Sequence, residues 1–182
     1  MRVLGIAGSL RKGSYNRALL RAAQELAPEG MRIEIWEGLR SIPPYDQDQD
    51  AAGAPESVLE LKRAIAGADA LLVATPEYNY LVSGVLKNAI DWASRPPAKS
   101  PLNGKPAAIM GATSGMSGTI RAQLALRQVF LFTNTPAVLK PQVTVPFCAD
   151  KFDADLRLTD AATRDLVREL LVALADWAPR FR

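Results

Sequence analysis

Short, almost wholly apolar runs alternate along this chain with segments of helical spacing, and few architectures accommodate that alternation. Arg2–Ala7 and Ala68–Thr75 are such runs, and Pro106–Ala112 is an alanine-rich third. A strand covered on both faces loses its polar positions, so runs of this kind suit parallel strands inside a sheet. Met31–Trp36 alternates Met and Ile with Arg and Glu, which suits a strand with one less buried face, and Thr135–Val145 supplies a fifth strand that Pro141 can interrupt. Helical spacing occupies the intervals. Tyr15–Leu26 sets Ala18, Leu19, Ala22, Ala23 and Leu26 on one face and stops at Pro28–Gly30. Pro55–Gly67 repeats Val58, Leu61, Lys62 and Ile65, and Leu86–Ser94 and Thr119–Phe132 continue the series. Thr159–Trp177 closes the chain, with Thr159 as its N-cap and Leu166, Leu170, Leu171 and Leu174 inward. Ser41–Gly53, rich in Pro and acids, reads as a long surface loop. Five strand-then-helix units imply a doubly wound α/β fold, a parallel sheet with right-handed crossovers and helices on both faces. Ligands of such sheets bind beyond the carboxyl ends of the strands, where strand order reverses. Function is therefore expected in the loops after strands one, three and four.

The chain of 182 residues suits a single domain spanning 1–182. Composition narrows the chemistry. There is no histidine and one cysteine, Cys148. Histidine-based triads, histidine-ligated zinc, disulfides and C-x-x-C redox pairs are excluded, so an enzyme of this composition draws its reactive group from a cofactor. The formal charge of +3 favours an anionic ligand but falls short of the basic face of a nucleic-acid binder. Met1 opens a short apolar run broken by Gly8 and followed by charge, which fits neither a signal peptide nor a membrane span. A cytoplasmic protein is the expectation.

The first loop, Gly8-Ser9-Leu10-Arg11-Lys12-Gly13-Ser14-Tyr15-Asn16, runs into the first helix and combines hydroxyls, an amide and a guanidinium with helix-terminal N–H groups that attract phosphate. It matches neither the G-x-x-x-x-G-K-[ST] loop nor the G-x-G-x-x-G fingerprint. An ordinary helix start, with Ser14 as N-cap and Arg11 solvated, would look similar. The second loop, Thr75-Pro76-Glu77-Tyr78-Asn79-Tyr80, offers flat rings and an amide, suited to a heteroaromatic ligand or to an interface. Beyond it, Lys87 and Asp91 read as a surface ion pair, and Trp92 as packing in the core or against a partner. The third loop, Thr113-Ser114-Gly115-Met116-Ser117-Gly118-Thr119, lets a backbone approach a bulky ligand, as an ordinary glycine-rich turn also would.

With Leu86-Lys87-Asn88-Ala89-Ile90-Asp91-Trp92, the first two loops closely resemble the NADPH-dependent FMN reductase family of flavodoxin-like proteins, which includes bacterial quinone, chromate and azo-dye reductases. The resemblance covers most of the chain. It implies a sheet of order 2-1-3-4-5, FMN with its phosphate on Ser9, Arg11, Ser14 and Asn16, and the isoalloxazine ring along Pro76 to Asn79. Leu10, Tyr15, Glu77, Tyr78, Thr113 and Ser114 complete the implied site. Familiar members read Ser-Val-Pro-Gly after the second tyrosine, whereas this chain has Leu81-Val82-Ser83-Gly84, and the lost proline implies a less rigid loop, which bears on substrate preference more than on FMN binding. The implied reaction passes hydride from NAD(P)H through flavin N5 to quinones, chromate, azo compounds or free flavin. Backbone N–H groups of Glu77 to Asn79 are expected to stabilise charge near N1 and O2, with no side chain as acid or base. Glu77 is assigned to the site without a catalytic role. The resemblance also implies a homodimer or homotetramer, with Tyr80, Trp92 and Arg95 as interface material. Cys148, among apolar neighbours, reads as a small buried hydrophobe. Two rivals stand beside this reading. A flavodoxin-type electron carrier would hold FMN without turning over nicotinamide, and would usually be acidic, unlike this chain. A flavin-free interaction domain would purify colourless.

Overall fold

The computed structural model describes residues 1–181; Arg182, the last residue of the expected 1–182 domain, lies outside them. Five strands, β1 (Arg2–Ala7), β2 (Arg32–Trp36), β3 (Ala70–Ala74), β4 (Ala107–Ala112) and β5 (Val143–Val145), form one sheet of order β2-β1-β3-β4-β5. Every pairing is parallel, with Val3 beside Ile33 and Ala70, Leu72 beside Ala108, and Met110 beside Val143. The fold is thus flavodoxin-like and doubly wound, with the strand order the sequence implied. Order reverses between β1 and β3, which places the loops after these strands at one crevice.

Six α-helices surround the sheet: α1 (Tyr15–Glu25), α2 (Gln47–Ala52), α3 (Glu56–Gly67), α4 (Gly84–Ala93), α5 (Ile120–Phe132) and α6 (Ala161–Trp177). Successive strand residues point to opposite faces, so each apolar run feeds two cores. Val3, Leu72 and Met110 pack under α1 and α6 with Leu19, Leu20, Val167 and Leu171. Leu4, Leu71, Val73 and Ile109 pack under α3, α4 and α5 with Leu61, Ile65, Leu86, Trp92 and Phe130. Gly111 of β4 is required by packing: a Cβ there would lie 2.0 Å from Thr119 Oγ1 and 2.4 Å from the Thr75 carbonyl oxygen.

Several expected boundaries are corrected. The fifth strand shrinks to three residues, because Pro141 has no N–H for a ladder and Thr135–Lys140 meets β4 only where Ala137 lies beside Ala107. The helix α6 is capped by Asp160, not Thr159. Asp160 Oδ2 accepts from the Thr163 N–H at 2.9 Å, while the Thr159 hydroxyl is turned away to donate to the Lys151 carbonyl at 3.2 Å. Leu166, expected inward, is 37% exposed, since Thr163, Val167, Leu170, Leu171 and Leu174 set the phase of the buried stripe. Within the expected loop 41–53, α2 forms under an Asp46 cap and buries no residue, so it leaves no apolar periodicity to detect. Lys87 and Asp91 pair at 2.7 Å, as expected for an i, i+4 pair.

Candidate active site

Backbone capping shapes the first loop. The Gly8 N–H donates to the Ala74 carbonyl at 2.8 Å, holding the chain against β3 for one residue past β1. The buried Ser9 hydroxyl then accepts from the Arg11 N–H at 3.4 Å. Ser14 caps α1 by accepting from the Arg17 N–H at 3.3 Å. Inside that cap the N–H groups of Tyr15 and Asn16 sit in the first turn, where a helix has no acceptor of its own to offer. Arg11 is exposed, and no described residue forms a hydrogen bond or ion pair with its guanidinium. The Ser14 cap anticipated for an ordinary helix start and the donor set of an anion cradle are therefore both present.

Asn16 departs from its expected role. Its side-chain amide donates to the Ala112 carbonyl at 2.9 Å and accepts from the Ala112 N–H at 3.0 Å, all buried. It fastens α1 to the end of β4, so only its backbone N–H remains for an anion.

The second loop is a strained turn. Tyr78 and Leu81 exchange two N–H···O bonds of 3.0 Å, with Asn79 at φ 50° and Tyr80 at φ 70° between them. Two non-glycine residues in the left-handed region cost of order 1–3 kcal/mol each. The Tyr78 N–H is spent inside the turn, so of the three amides expected to face developing charge this one is withdrawn. The Glu77 carboxylate reaches to the start of α5. It is 5% exposed and accepts from the backbone N–H groups of Arg121 and Ala122 and from Arg121 Nε at 2.7 Å. Burial alone would raise the Glu77 pKa, but hydrogen bonds from Arg121, Ala122 and Ser117 outweigh it and hold the carboxyl below its ordinary value. Glu77 is thus a loop anchor.

Ser83, at the usual proline position, corrects the expectation of a looser loop. It caps α4, accepting from the Leu86 N–H at 3.4 Å, and its buried hydroxyl donates to the Gly8 carbonyl at 2.6 Å. One hydroxyl ties the first and second loops together, a constraint a proline cannot supply.

In the third loop the Thr113 N–H donates to the Val145 carbonyl and the Cys148 N–H to the Thr113 carbonyl, both at 3.0 Å, while Ser114 stays exposed. Cys148 is fully buried, and burial pushes its thiol pKa up despite the positive charge of Arg11. The Cys148→Ser variant is expected to keep the quinone-dependent NAD(P)H oxidation that the resemblance implies within about twofold of wild type, at a stability cost of about 1–3 kcal/mol for the buried hydroxyl. Steady-state assays beside thermal melts check this; a tenfold loss of turnover with the protein folded would assign the thiol a role.

The three loops flank an open cleft of about 100 Å³. Ser9, Arg11, Ser14, Tyr15 and Asn16 line one wall, Pro76, Glu77 and Tyr78 another, and Thr113 and Ser114 a third. Two expected residues lie elsewhere. Leu10 turns to the other side of its loop, into a neighbouring cleft with Lys12, Trp36 and Arg40, and Asn79 sits at the tip of its turn, outside the lining. Ala112 lines the cleft without having been anticipated, because an alanine closing an apolar strand carries no distinguishing signal. Trp92 lies wholly in the core, its Nε1–H donating to the Pro43 carbonyl at 2.9 Å, so it is not interface material. Arg95 is half-buried, and Tyr80 is 65% exposed.

A doubly wound parallel sheet with a loop-lined cleft at its switch point defines the flavodoxin-like class of α/β proteins. Comparison narrows it. The family model described as NADPH-dependent FMN reductase matches residues 1–150. An NAD(P)H-dependent FMN reductase of Pseudomonas aeruginosa is 50% identical over 182 residues, covering 100% of this chain and 97% of its own. A quinone reductase of Escherichia coli K12 is 37% identical, over 100% and 97%. Among solved structures, the flavoenzyme NAD(P)H:(acceptor) oxidoreductase FerB of Paracoccus denitrificans superposes with a TM-score of 0.89 at 37% identity, over 99% of this chain and 98% of that one. The chain belongs to the NADPH-dependent FMN reductase family and is an oxidoreductase. No described helix is long and apolar enough to cross a membrane.

Proposed function

We propose that the chain, acting as one unit over its whole length, holds FMN in the three-loop cleft and uses NAD(P)H to reduce quinones, with chromate, azo compounds and free flavin as further acceptors. The observation that carries this reading is the donor set at the start of α1: the Arg11 guanidinium without a described partner, the Ser9 and Ser14 hydroxyls, and the Tyr15 and Asn16 N–H groups, gathered on one wall of the cleft. That set suits a phosphate monoester. The remaining walls suit a flat ring, with Pro76 and Tyr78 on one side and the small Thr113 and Ser114 on another. Bound there, FMN supplies the two-electron chemistry, hydride in and hydride out. The chain contributes binding, orientation and the backbone N–H of Glu77 toward charge on the ring, and no side chain acts as acid or base. The charge of +3 favours a reductase over a carrier that docks on basic partners, and the quinone reductase relatives favour quinone among the acceptors. The cytoplasm is its proposed place.

Titrating FMN by fluorescence quenching tests the reading: about one equivalent per chain is expected from a single switch-point cleft. Protein that leaves FMN fluorescence unchanged would overturn it.

A homo-oligomer is part of the proposal. The outer face of α5 leaves Leu124 at 51%, Leu131 at 84% and Phe132 at 80% exposed, apolar side chains that a second copy of the chain would cover. Light scattering at micromolar concentration should give a multiple of 19.7 kDa. A mass of one chain would contradict it.

A further inference from the structure

The strained turn of the second loop is held from outside by a residue 44 positions away in sequence. Arg121 opens α5 and grips the turn at two points. Before the turn, its Nε and a terminal guanidinium nitrogen, the latter at 2.5 Å, bind the Glu77 carboxylate. Inside the turn, its guanidinium carbon lies 3.9 Å from the centre of the Tyr80 ring, within cation–π range. Tyr80 at φ 70° is the more strained of the two left-handed residues, since a bulky side chain rarely enters that region. A two-residue turn of this shape ordinarily takes Asn-Gly, and here Asn79-Tyr80 stands in its place. Asn79 suits its position in the turn, but Tyr80 does not. The fork that binds Glu77 and the flat face that meets Tyr80 both belong to one guanidinium.

We propose that Arg121 is a positioning residue for the cofactor loop: by clamping Glu77 and Tyr80 it holds the strained turn in the form that receives the flavin ring. The inference rests on the flavin reading above, but makes a separate demand on the molecule. Without the clamp the turn relaxes for part of the time, and apparent FMN affinity falls by the fraction of loops still competent. Lysine restores the charge toward Glu77 but has neither the fork nor the flat face. Losing either partner disrupts the same clamp, so Glu77→Gln and Arg121→Met are expected to be non-additive.

The experiment measures FMN dissociation constants, the visible circular dichroism of bound flavin and melting temperatures for wild type, Arg121→Met, Arg121→Lys, Glu77→Gln and the Glu77→Gln/Arg121→Met double variant. Arg121→Met should weaken FMN about tenfold, roughly 1.4 kcal/mol, and change the dichroism of the ring, an effect that a merely structural role away from the loop would not produce. Arg121→Lys, which keeps the charge, should weaken it about threefold at a melting temperature near that of wild type. The double variant should be no weaker than the worse single one. Wild type that binds FMN alongside an Arg121→Lys variant with unchanged affinity and dichroism would overturn the clamp alone. Wild type that takes up no FMN would overturn the flavin reading, and the clamp with it.

Discussion

Replacing Arg11 by alanine is expected to weaken FMN binding by roughly 1.5–3 kcal/mol, on the order of 10- to 150-fold, the range for a charge-assisted hydrogen bond. The guanidinium lines the cleft, is exposed, and carries no ion pair or hydrogen bond to a described residue. Its removal leaves no buried partner unsatisfied, so the fold should keep its melting temperature and the loss should fall on the phosphate. Riboflavin, which lacks the phosphate, should bind wild type and variant alike. Fluorescence-quenching titrations with both flavins separate the effects: equal FMN affinities for the two proteins, or an equal loss for riboflavin, would detach Arg11 from the phosphate.

Asn16→Ala should act on stability instead. It leaves the Ala112 N–H and carbonyl buried without partners, at an expected cost of about 2–6 kcal/mol, from roughly 1–3 kcal/mol for each orphaned group. For a chain of this size that lowers the melting temperature by about 4–24 °C. Ala112 ends β4 beside the cleft, so FMN should restore part of the loss by mass action. A melting temperature within 2 °C of wild type, roughly 1 kcal/mol or less by the same relation, would show that water replaces the amide at no cost and that the α1–β4 fastening is incidental.

The sheet was legible because strands buried on two faces leave wholly apolar runs, and those runs fell where β1, β3 and β4 lie. The lining of the cleft was legible because Ser9, Arg11 and Ser14 on one loop and Pro76 and Tyr78 on another are contiguous in sequence and need only the switch point to bring them together. What stayed hidden depends on contacts between distant segments. That Asn16 would turn its amide to Ala112, 96 positions on, cannot be read from a loop that equally well offers it to phosphate. The strut from Glu77 to Arg121 has no local signature, and Ser83 read as a lost proline until its hydroxyl was placed against Gly8. The helix α2 buries nothing, and periodicity registers only what is buried. Trp92 was equally suited by composition to core or interface, and only the carbonyl of Pro43 decides for the core.

Whether nicotinamide reduces a flavin bound in the cleft and a quinone reoxidises it is decided by anaerobic rapid mixing of the FMN-loaded protein with NADPH, followed by benzoquinone. The visible flavin absorbance should bleach on the first mixing and return on the second, with one NADPH consumed per quinone reduced. Absorbance that NADPH leaves unchanged, in protein that dithionite does bleach, would contradict it and identify the chain as an FMN-holding electron carrier.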